Sequence, residues 1–193
     1  ASVRIKFKGT LWFASSVAVY GKTLNDFQSE SDSCHPLSGY ALAKLTGEEY
    51  LKLFAKNHGL SCGSLRIFST FGEGLKRQIV YDLYRKVVSD SVDLELLGSG
   101  KEERDLCYVE DQIERMKILA DCLRPTGDIY NVGNGTSIST YDIAKEILKI
   151  TQIAKPIRAS EVTRGFDGYQ WRACTKKFST IADNPVTDFS VAL

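Results

Sequence analysis

Apolar side chains recur at helical spacing between residues 38 and 58, and this is the strongest helix pattern in the chain. Ser38 can cap the start of the helix, and Gly59 can end it. Short apolar runs flank the helix at residues 11–14 and 60–68. The pattern therefore predicts a buried strand, a helix and a second strand that runs parallel to the first.

The rest of the chain also alternates between strand-like runs and helix-like segments. Helices are predicted at residues 78–89, 110–123 and 140–151, and strands at residues 92–97 and 128–132. Polar or glycine-rich stretches predict loops at residues 21–38, 69–74, 98–100 and 133–137, and a loop that enters a short helix over 164–178. Alternating strands and helices predict an α/β fold with a parallel sheet.

Composition narrows the class of protein. The 193 residues are 43% hydrophobic and 25% charged, which is typical of one compact domain with or without a small appendage. Because the net charge is +1 and no basic run or long apolar stretch is present, we expect neither nucleic acid nor membrane as a partner. The five scattered cysteines and two histidines argue against a disulfide framework or metal site, and favour a cytoplasmic location.

Three side chains near the start of the chain can handle a proton. Ser16 follows the first predicted strand, at the end where open α/β sheets bind ligands. Tyr40 and Lys44 stand four residues apart on one face of the predicted helix. A phenol is a poor base at neutral pH, and a nearby ammonium stabilises its phenolate. Together the three residues predict oxidation of an alcohol or reduction of a carbonyl.

The spacing of tyrosine and lysine is weak evidence when it stands alone. Tyr141 and Lys145 have the same spacing on another predicted helix. In the alternative interpretation the tyrosine packs at a helix start and the lysine is a solvated surface residue, and we accept this for Tyr141 and Lys145. For Tyr40 and Lys44, the strands on both sides of the helix favour the catalytic interpretation.

Five segments in order carry a more specific signal: FASSVAVYG, PLSGYALAKLTGEEYLKLFAKNHGL, LRIFSTFGEG, LLGSGKEERDLCYVED and IYNVGNGTSIS. They resemble the extended short-chain dehydrogenase/reductase family, in its nucleotide-sugar epimerase and dehydratase branch, from about residue 10 to residue 151. The resemblance implies NAD as cofactor and a nucleoside diphosphate sugar as substrate. It also implies the carboxyl-terminal part of a Rossmann-type parallel sheet, followed by a small α/β substrate-binding domain.

The resemblance assigns roles at the reacting end of the site. Ser16, Tyr40 and Lys44 match the family's catalytic serine, tyrosine and lysine, which also contact the cofactor. Ser16 and Tyr40 would contact the substrate as well. Phe68 matches a residue that contacts the nicotinamide end of NAD.

Three further positions match residues that bind the substrate phosphates. Ser69 stands where many epimerases have an asparagine, and its shorter side chain weakens that inference. Arg104 and Arg164 match arginines that bind the diphosphate, whose oxygens suit the fork of a guanidinium. A surface ion pair is the alternative for each, more so for Arg164, where RGFDG departs from the family's RxGD.

Other departures from the family pattern refine the prediction. Val17 and Ala18 replace the acidic pair of the 4,6-dehydratases, which disfavours dehydration. No glycine-rich phosphate loop precedes Ser16, and residues 133–137 lie too far downstream to replace it. We therefore expect residues 1–75 to be a partial NAD-binding domain whose first strand is an uncovered edge. Residues 76–193 would mainly bind the nucleotide sugar, with late Rossmann elements interleaved.

The leading hypothesis is an NAD-dependent epimerase that acts at C4 of the sugar through a 4-keto intermediate, with Tyr40 as acid and base. A reductase or dehydratase of the same family is one alternative, and a non-catalytic module that binds sugar nucleotides is another. A homodimer is also expected, because the family often pairs through helices of this type.

Overall fold

The computed structural model describes residues 8–22, 25–160 and 170–193. Strands and helices alternate along these residues, which confirms the predicted α/β class. The strands are β1 (Leu11–Ser16), β2 (Cys62–Ile67), β3 (Ser69–Phe71), β4 (Leu94–Leu96), β5 (Glu103–Arg104), β6 (Leu106–Tyr108), β7 (Thr126–Val132), β8 (Ile138–Ser139), β9 (Ile157–Ala159) and β10 (Gln170–Trp171). The helices are α1 (Gly39–His58), α2 (Gln78–Val87), α3 (Val109–Cys122), α4 (Thr140–Thr151), α5 (Lys176–Ser179) and α6 (Phe189–Ala192), with a 3₁₀ turn at Val17–Tyr20.

The main sheet has three parallel strands in the order β1-β2-β7. Leu11 pairs with Cys62 and Ser16 with Ile67, so β1 and β2 end at the same edge of the sheet. Helix α1 makes the crossover between these two strands. The start of α1 is thereby brought back to the edge where Ser16 emerges.

Local signals account for the limits of α1. The Ser38 hydroxyl accepts a hydrogen bond from the backbone N–H of Ala41, as an N-cap does. Gly59 ends the helix with φ of 63°, a left-handed conformation that costs glycine little. The helix predicted at residues 38–58 is therefore confirmed to within one residue.

A second group of elements packs around a core of its own. This group consists of helices α2 and α4, the strand pairs β3–β6 and β4–β9, and the small sheet β10-β5-β8. Their shared core contains apolar side chains from both helices and from the short strands, including Phe71, Leu83, Val87, Leu94, Leu96, Leu106, Ile143 and Ile147. Strand β7 belongs to the main sheet although it follows these strands in sequence.

Two sequence predictions need correction. Residues 69–71, predicted as part of a turn, form β3, because they pair in parallel with β6. The first strand is not buried along its length: Leu11 is 44% exposed, and only Ser15 and Ser16 are buried. The reason is that β1 is hydrogen-bonded to β2 alone among the described strands, so it forms an edge.

The described residues form neither a membrane-spanning helix nor a cluster of metal ligands. None of the helices in those ranges is long and apolar enough to cross a bilayer. No cluster of three or more histidine, cysteine or acidic residues there could hold a metal ion.

Candidate active site

A cavity of about 500 Å³ opens where β1 and β2 end and α1 begins. Its described lining comes from these three elements, from the segment that joins β2 to α2 and from the first residues of α2 and α3. It consists of Ala14, Ser15, Ser16, Tyr40, Lys44, Ile67, Phe68, Thr70, Phe71, Gly72, Glu73, Gly74, Leu75, Arg77, Gln78 and Val109. Four of the residues predicted from the sequence to form the site line this cavity: Ser16, Tyr40, Lys44 and Phe68. Ligands commonly bind at such a carboxyl edge of an open parallel sheet.

The tyrosine and lysine are placed by the first two turns of α1. Tyr40 is 58% exposed, so a ligand can reach its hydroxyl. The Lys44 ammonium donates a 2.8 Å hydrogen bond to the Ala14 carbonyl of β1 and lies 5.5 Å from the centre of the Tyr40 ring. Lys44 therefore ties the helix to the strand that carries Ser16, and places a positive charge beside the phenol.

Ser16 is held by the backbone that follows it. Its hydroxyl oxygen accepts a 3.2 Å hydrogen bond from the N–H of Ala18 and caps the 3₁₀ turn. Among the described residues the Ser16 hydroxyl has no acceptor, so it can donate its proton to a ligand in the cavity. The nearby Tyr20 is different, because its buried hydroxyl donates to Asn131 at 2.7 Å. Burial raises the pKa of Tyr20, although the neighbouring Arg66 charge opposes this.

A buried ion pair that contacts the cavity residue Ser15 was not predicted from the sequence. Glu48 and Arg66 are both nearly inaccessible, and their side chains meet at 2.8 Å with further bonds from the Arg66 Nε. The Ser15 hydroxyl donates to the same carboxylate. Burial alone lowers the pKa of Arg66, but hydrogen bonds and charge from Glu48 and Tyr20 reverse the direction and raise it. Arg66 is therefore charged and joins β2 to α1.

One sequence signal could have revealed Glu48. It stands four residues after Lys44 and eight after Tyr40, so the three share one stripe of α1. An acidic residue at that position faces the sheet, where only a paired carboxylate is tolerated. The stripe thus combines two residues on the cavity with one that fixes the helix to the sheet.

Two predicted phosphate-binding residues, Ser69 and Arg104, are not among the residues that line the cavity. Ser69 is half-buried in β3, and Arg104 belongs to β5, where its guanidinium stacks 4.9 Å from the centre of the Trp171 ring. The Arg104 Nη1 donates to the backbone carbonyl of Glu103 at 2.9 Å. Arg164 lies outside the described residues.

The glycine loop after β7 is occupied by a carboxylate of the protein. Buried Asp105 accepts hydrogen bonds from the backbone N–H groups of Asn134, Gly135 and Ala173 at 2.8 to 2.9 Å. Burial raises the pKa of Asp105, and these three N–H groups act in the opposite direction. The amides that would face a phosphate in a nucleotide-binding loop are therefore already used.

The second tyrosine–lysine pair stands elsewhere. Tyr141 and Lys145 lie on α4 and are both exposed, and neither is among the residues that line the cavity. Cys107 is fully buried in an apolar cluster with Phe68, so its side chain is part of the packing.

Comparisons with known proteins show the family to which the chain belongs. A family model described as the NAD dependent epimerase/dehydratase family matches residues 1–133. Escherichia coli dTDP-4-dehydro-6-deoxyglucose reductase is 32% identical over 139 residues, which cover 70% of this chain and 43% of the reductase. An uncharacterised UDP-glucose epimerase of Bacillus subtilis is 24% identical over 184 residues, which cover 95% of this chain and 58% of that protein.

A solved structure is also similar. The UDP-glucuronic acid 4-epimerase of Bacillus cereus, in complex with UDP-glucuronic acid and NAD, superposes with a TM-score of 0.84 at 26% identity. The match covers 94% of this chain and 58% of that one. The chain spans about half the length of the curated relatives that it matches. Since the family model covers well over half of the sequence, the chain belongs to the NAD dependent epimerase/dehydratase family.

Proposed function

We propose that this chain carries the proton-handling part of an NAD-dependent epimerase, which inverts C4 of a nucleoside diphosphate sugar. The observation that carries the proposal is the shared cavity of Ser16, Tyr40 and Lys44 at the carboxyl edge of the parallel sheet. Family membership supports the reaction class. Relatives named as epimerases of UDP-glucose and UDP-glucuronic acid support a UDP-hexose as the substrate.

Each side chain has one task in this proposal. Tyr40 takes the proton of the sugar 4-hydroxyl and returns it to the 4-keto oxygen after the sugar has turned over. Lys44 stabilises the phenolate through its charge, and Ser16 orients the sugar oxygen by hydrogen bonding. NAD, when bound, supplies the hydride acceptor and donor.

The described residues fit the nicotinamide half of NAD better than its pyrophosphate half. Tyr40, Lys44 and Phe68 line one accessible cavity, which suits a ribose and a flat ring. The glycine loop after β7 does not suit a pyrophosphate, because the Asp105 carboxylate fills it. We therefore assign no pyrophosphate-binding role to the described residues of this loop.

Incubation of the protein with NAD and UDP-glucose or UDP-glucuronic acid tests the reaction. We expect the 4-epimer of at least one sugar to form without net change in NAD, as followed by proton NMR and by absorbance of the reduced cofactor. Stoichiometric oxidation of NADH, when the protein is given NADH and a 4-keto nucleotide sugar instead, would indicate the reductase, which the Escherichia coli relative favours. Loss of water would indicate a dehydratase. Binding without any reaction would indicate a non-catalytic module.

Arg104 provides a test of diphosphate recognition. Replacing Arg104 by glutamine should raise the Kd for UDP-glucose by about ten- to a hundredfold, because charge-assisted hydrogen bonds contribute about 1.5–3 kcal/mol. Isothermal calorimetry measures the change, and circular dichroism checks the fold, since the variant also loses the stacking on Trp171. Arg124→Gln is the matched control, because Arg124 is exposed and, within the described ranges, bonded only to carbonyls at the end of α3. An unchanged Kd in folded Arg104→Gln would contradict the assignment.

The cytoplasmic location and the homodimer expected from the sequence remain predictions. Sedimentation of the purified protein would determine the oligomeric state.

A further inference from the structure

Trp171 is a half-buried side chain to which the family resemblance assigns no role. It belongs to β10, which pairs in parallel with β5 so that Trp171 stands opposite Arg104. The Arg104 guanidinium lies 4.9 Å from the centre of the indole ring. On its other side, the indole Nε1 donates a 3.3 Å hydrogen bond to the carbonyl of Gly21. One side chain therefore contacts both the proposed diphosphate ligand and the end of the 3₁₀ turn that Ser16 caps.

Hydrogen bonds lead from Trp171 to the proposed catalytic serine. The N–H of Gly21 donates to the Ala18 carbonyl at 3.2 Å, and the N–H of Ala18 donates to the Ser16 hydroxyl oxygen at 3.2 Å. Gly21 is fixed in place, because its φ is 68° and a side chain there would collide with the His35 carbonyl. A displacement of Trp171 would therefore also displace the turn that holds Ser16.

The proposed substrate needs a fixed distance between Ser16 and Arg104. Ser16 ends β1 in the main sheet, whereas Arg104 is on β5 in the small sheet β10-β5-β8. The sugar must lie against Ser16 while Arg104 binds the diphosphate, so a shift between the two sheets would misplace the sugar. Trp171 contacts a group from each sheet and can fix this distance. Stacking on the indole also holds the guanidinium in one plane, which suits a fork that meets phosphate oxygens.

We propose that Trp171 is a positioning residue, which holds Arg104 and the Ser16 turn together so that a nucleotide sugar bound through its diphosphate presents its sugar to Ser16. This inference rests on the proposed function and adds a residue to its site. The two contacts of Trp171 have separate tasks. The ring face supports Arg104 and acts on the nucleotide, whereas the indole N–H fixes the turn and acts on the sugar.

Calorimetry with UDP and with UDP-glucose separates the two tasks, because UDP has the diphosphate without the sugar. Trp171→Phe keeps a ring beside Arg104 but removes the N–H. It should leave the Kd for UDP unchanged and raise the Kd for UDP-glucose about fivefold, the typical contribution of one neutral hydrogen bond. Trp171→Leu removes both contacts and should raise both Kd values. Trp12→Phe, at the other tryptophan, is the matched control and should change neither, because Trp12 packs against Tyr130.

A double-mutant cycle tests whether Trp171 acts through Ser16. Ser16→Ala removes the hydroxyl that accepts from Ala18, and should raise the Kd for UDP-glucose but not for UDP. In the Ser16→Ala background, Trp171→Phe should raise the Kd for UDP-glucose by less than about twofold further, because the serine that it positions is already absent. A full fivefold effect in that background would overturn the inference.

The other outcomes separate the inference from the proposed function. Equal effects of Trp171→Phe on UDP and UDP-glucose, or no effect on either, overturn the inference and leave the proposed function intact. A wild-type protein that does not bind UDP-glucose overturns both. Circular dichroism confirms that each variant is folded, and Trp171→Tyr, which also lacks the indole N–H, provides the same comparison if Trp171→Phe does not fold.

Discussion

Replacing Tyr40 by phenylalanine should lower the turnover number by two to four orders of magnitude, the usual contribution of a positioned acid and base. The variant keeps the ring at the start of α1, where Tyr40 is exposed and its hydroxyl is not required for packing. It removes only the oxygen that takes the proton of the sugar hydroxyl. We therefore expect the Kd for the nucleotide sugar to change little while kcat falls.

The chain itself provides a matched control for this experiment. Tyr141 is also exposed, also begins a helix and also stands four residues before a lysine, but it lies on α4 away from the cavity. Tyr141→Phe should retain wild-type turnover. Turnover in Tyr40→Phe that matched the wild type would remove Tyr40 from the mechanism. An equal loss in both variants would show that the strand context does not distinguish the two pairs.

Replacing Arg66 by methionine should destabilise the protein by about 3–5 kcal/mol, the usual result of breaking a buried ion pair from one side. The variant leaves the carboxylate of Glu48 without its partner in a fully buried site, where Ser15 alone still donates to it. Urea unfolding followed by circular dichroism measures the loss. We also expect a fall in turnover in the folded fraction, because the pair joins α1 to the sheet one turn from Lys44.

A double-mutant cycle separates the charge effect from the loss of packing. Glu48→Gln combined with Arg66→Met removes both charges, so the double variant should be more stable than Arg66→Met alone. Lys117→Met breaks the exposed pair with Glu114 on α3 and should change the free energy of unfolding by less than about 1 kcal/mol. Additive effects of the two substitutions, with no recovery in the double variant, would contradict the proposed coupling.

Secondary structure was predictable here wherever a short stretch of sequence contains its own signals. Helix α1 begins after the N-cap Ser38 and ends at Gly59, which has a left-handed conformation. Helix α4 matches the predicted residues 140–151. The three-residue strands were harder to predict. Strand β3 was assigned to a turn and β9 was not predicted, because their conformation depends on pairing with β6 and β4 rather than on local preference.

The candidate site was predictable only in part, for a similar reason. Ser16, Tyr40 and Lys44 could be selected because strand ends and helix spacing place them by local geometry. The pairing of Glu48 with Arg66 could not be selected, since it arises only when α1 packs against β2. Arg104 was found by family resemblance, and its stacking on Trp171 was visible only in the folded chain.

The sequence by itself determined the α/β class, the main helices and the tyrosine and lysine of the proposed mechanism, because these depend on interactions between residues a few positions apart. Only the tertiary structure decided which distant polar groups meet. It paired Glu48 with Arg66 and placed Asp105 against the glycine loop. Such contacts form because a buried charge without a partner costs free energy, so each buried charge must meet a group that can pair with it. Which residues are buried is a property of the whole fold.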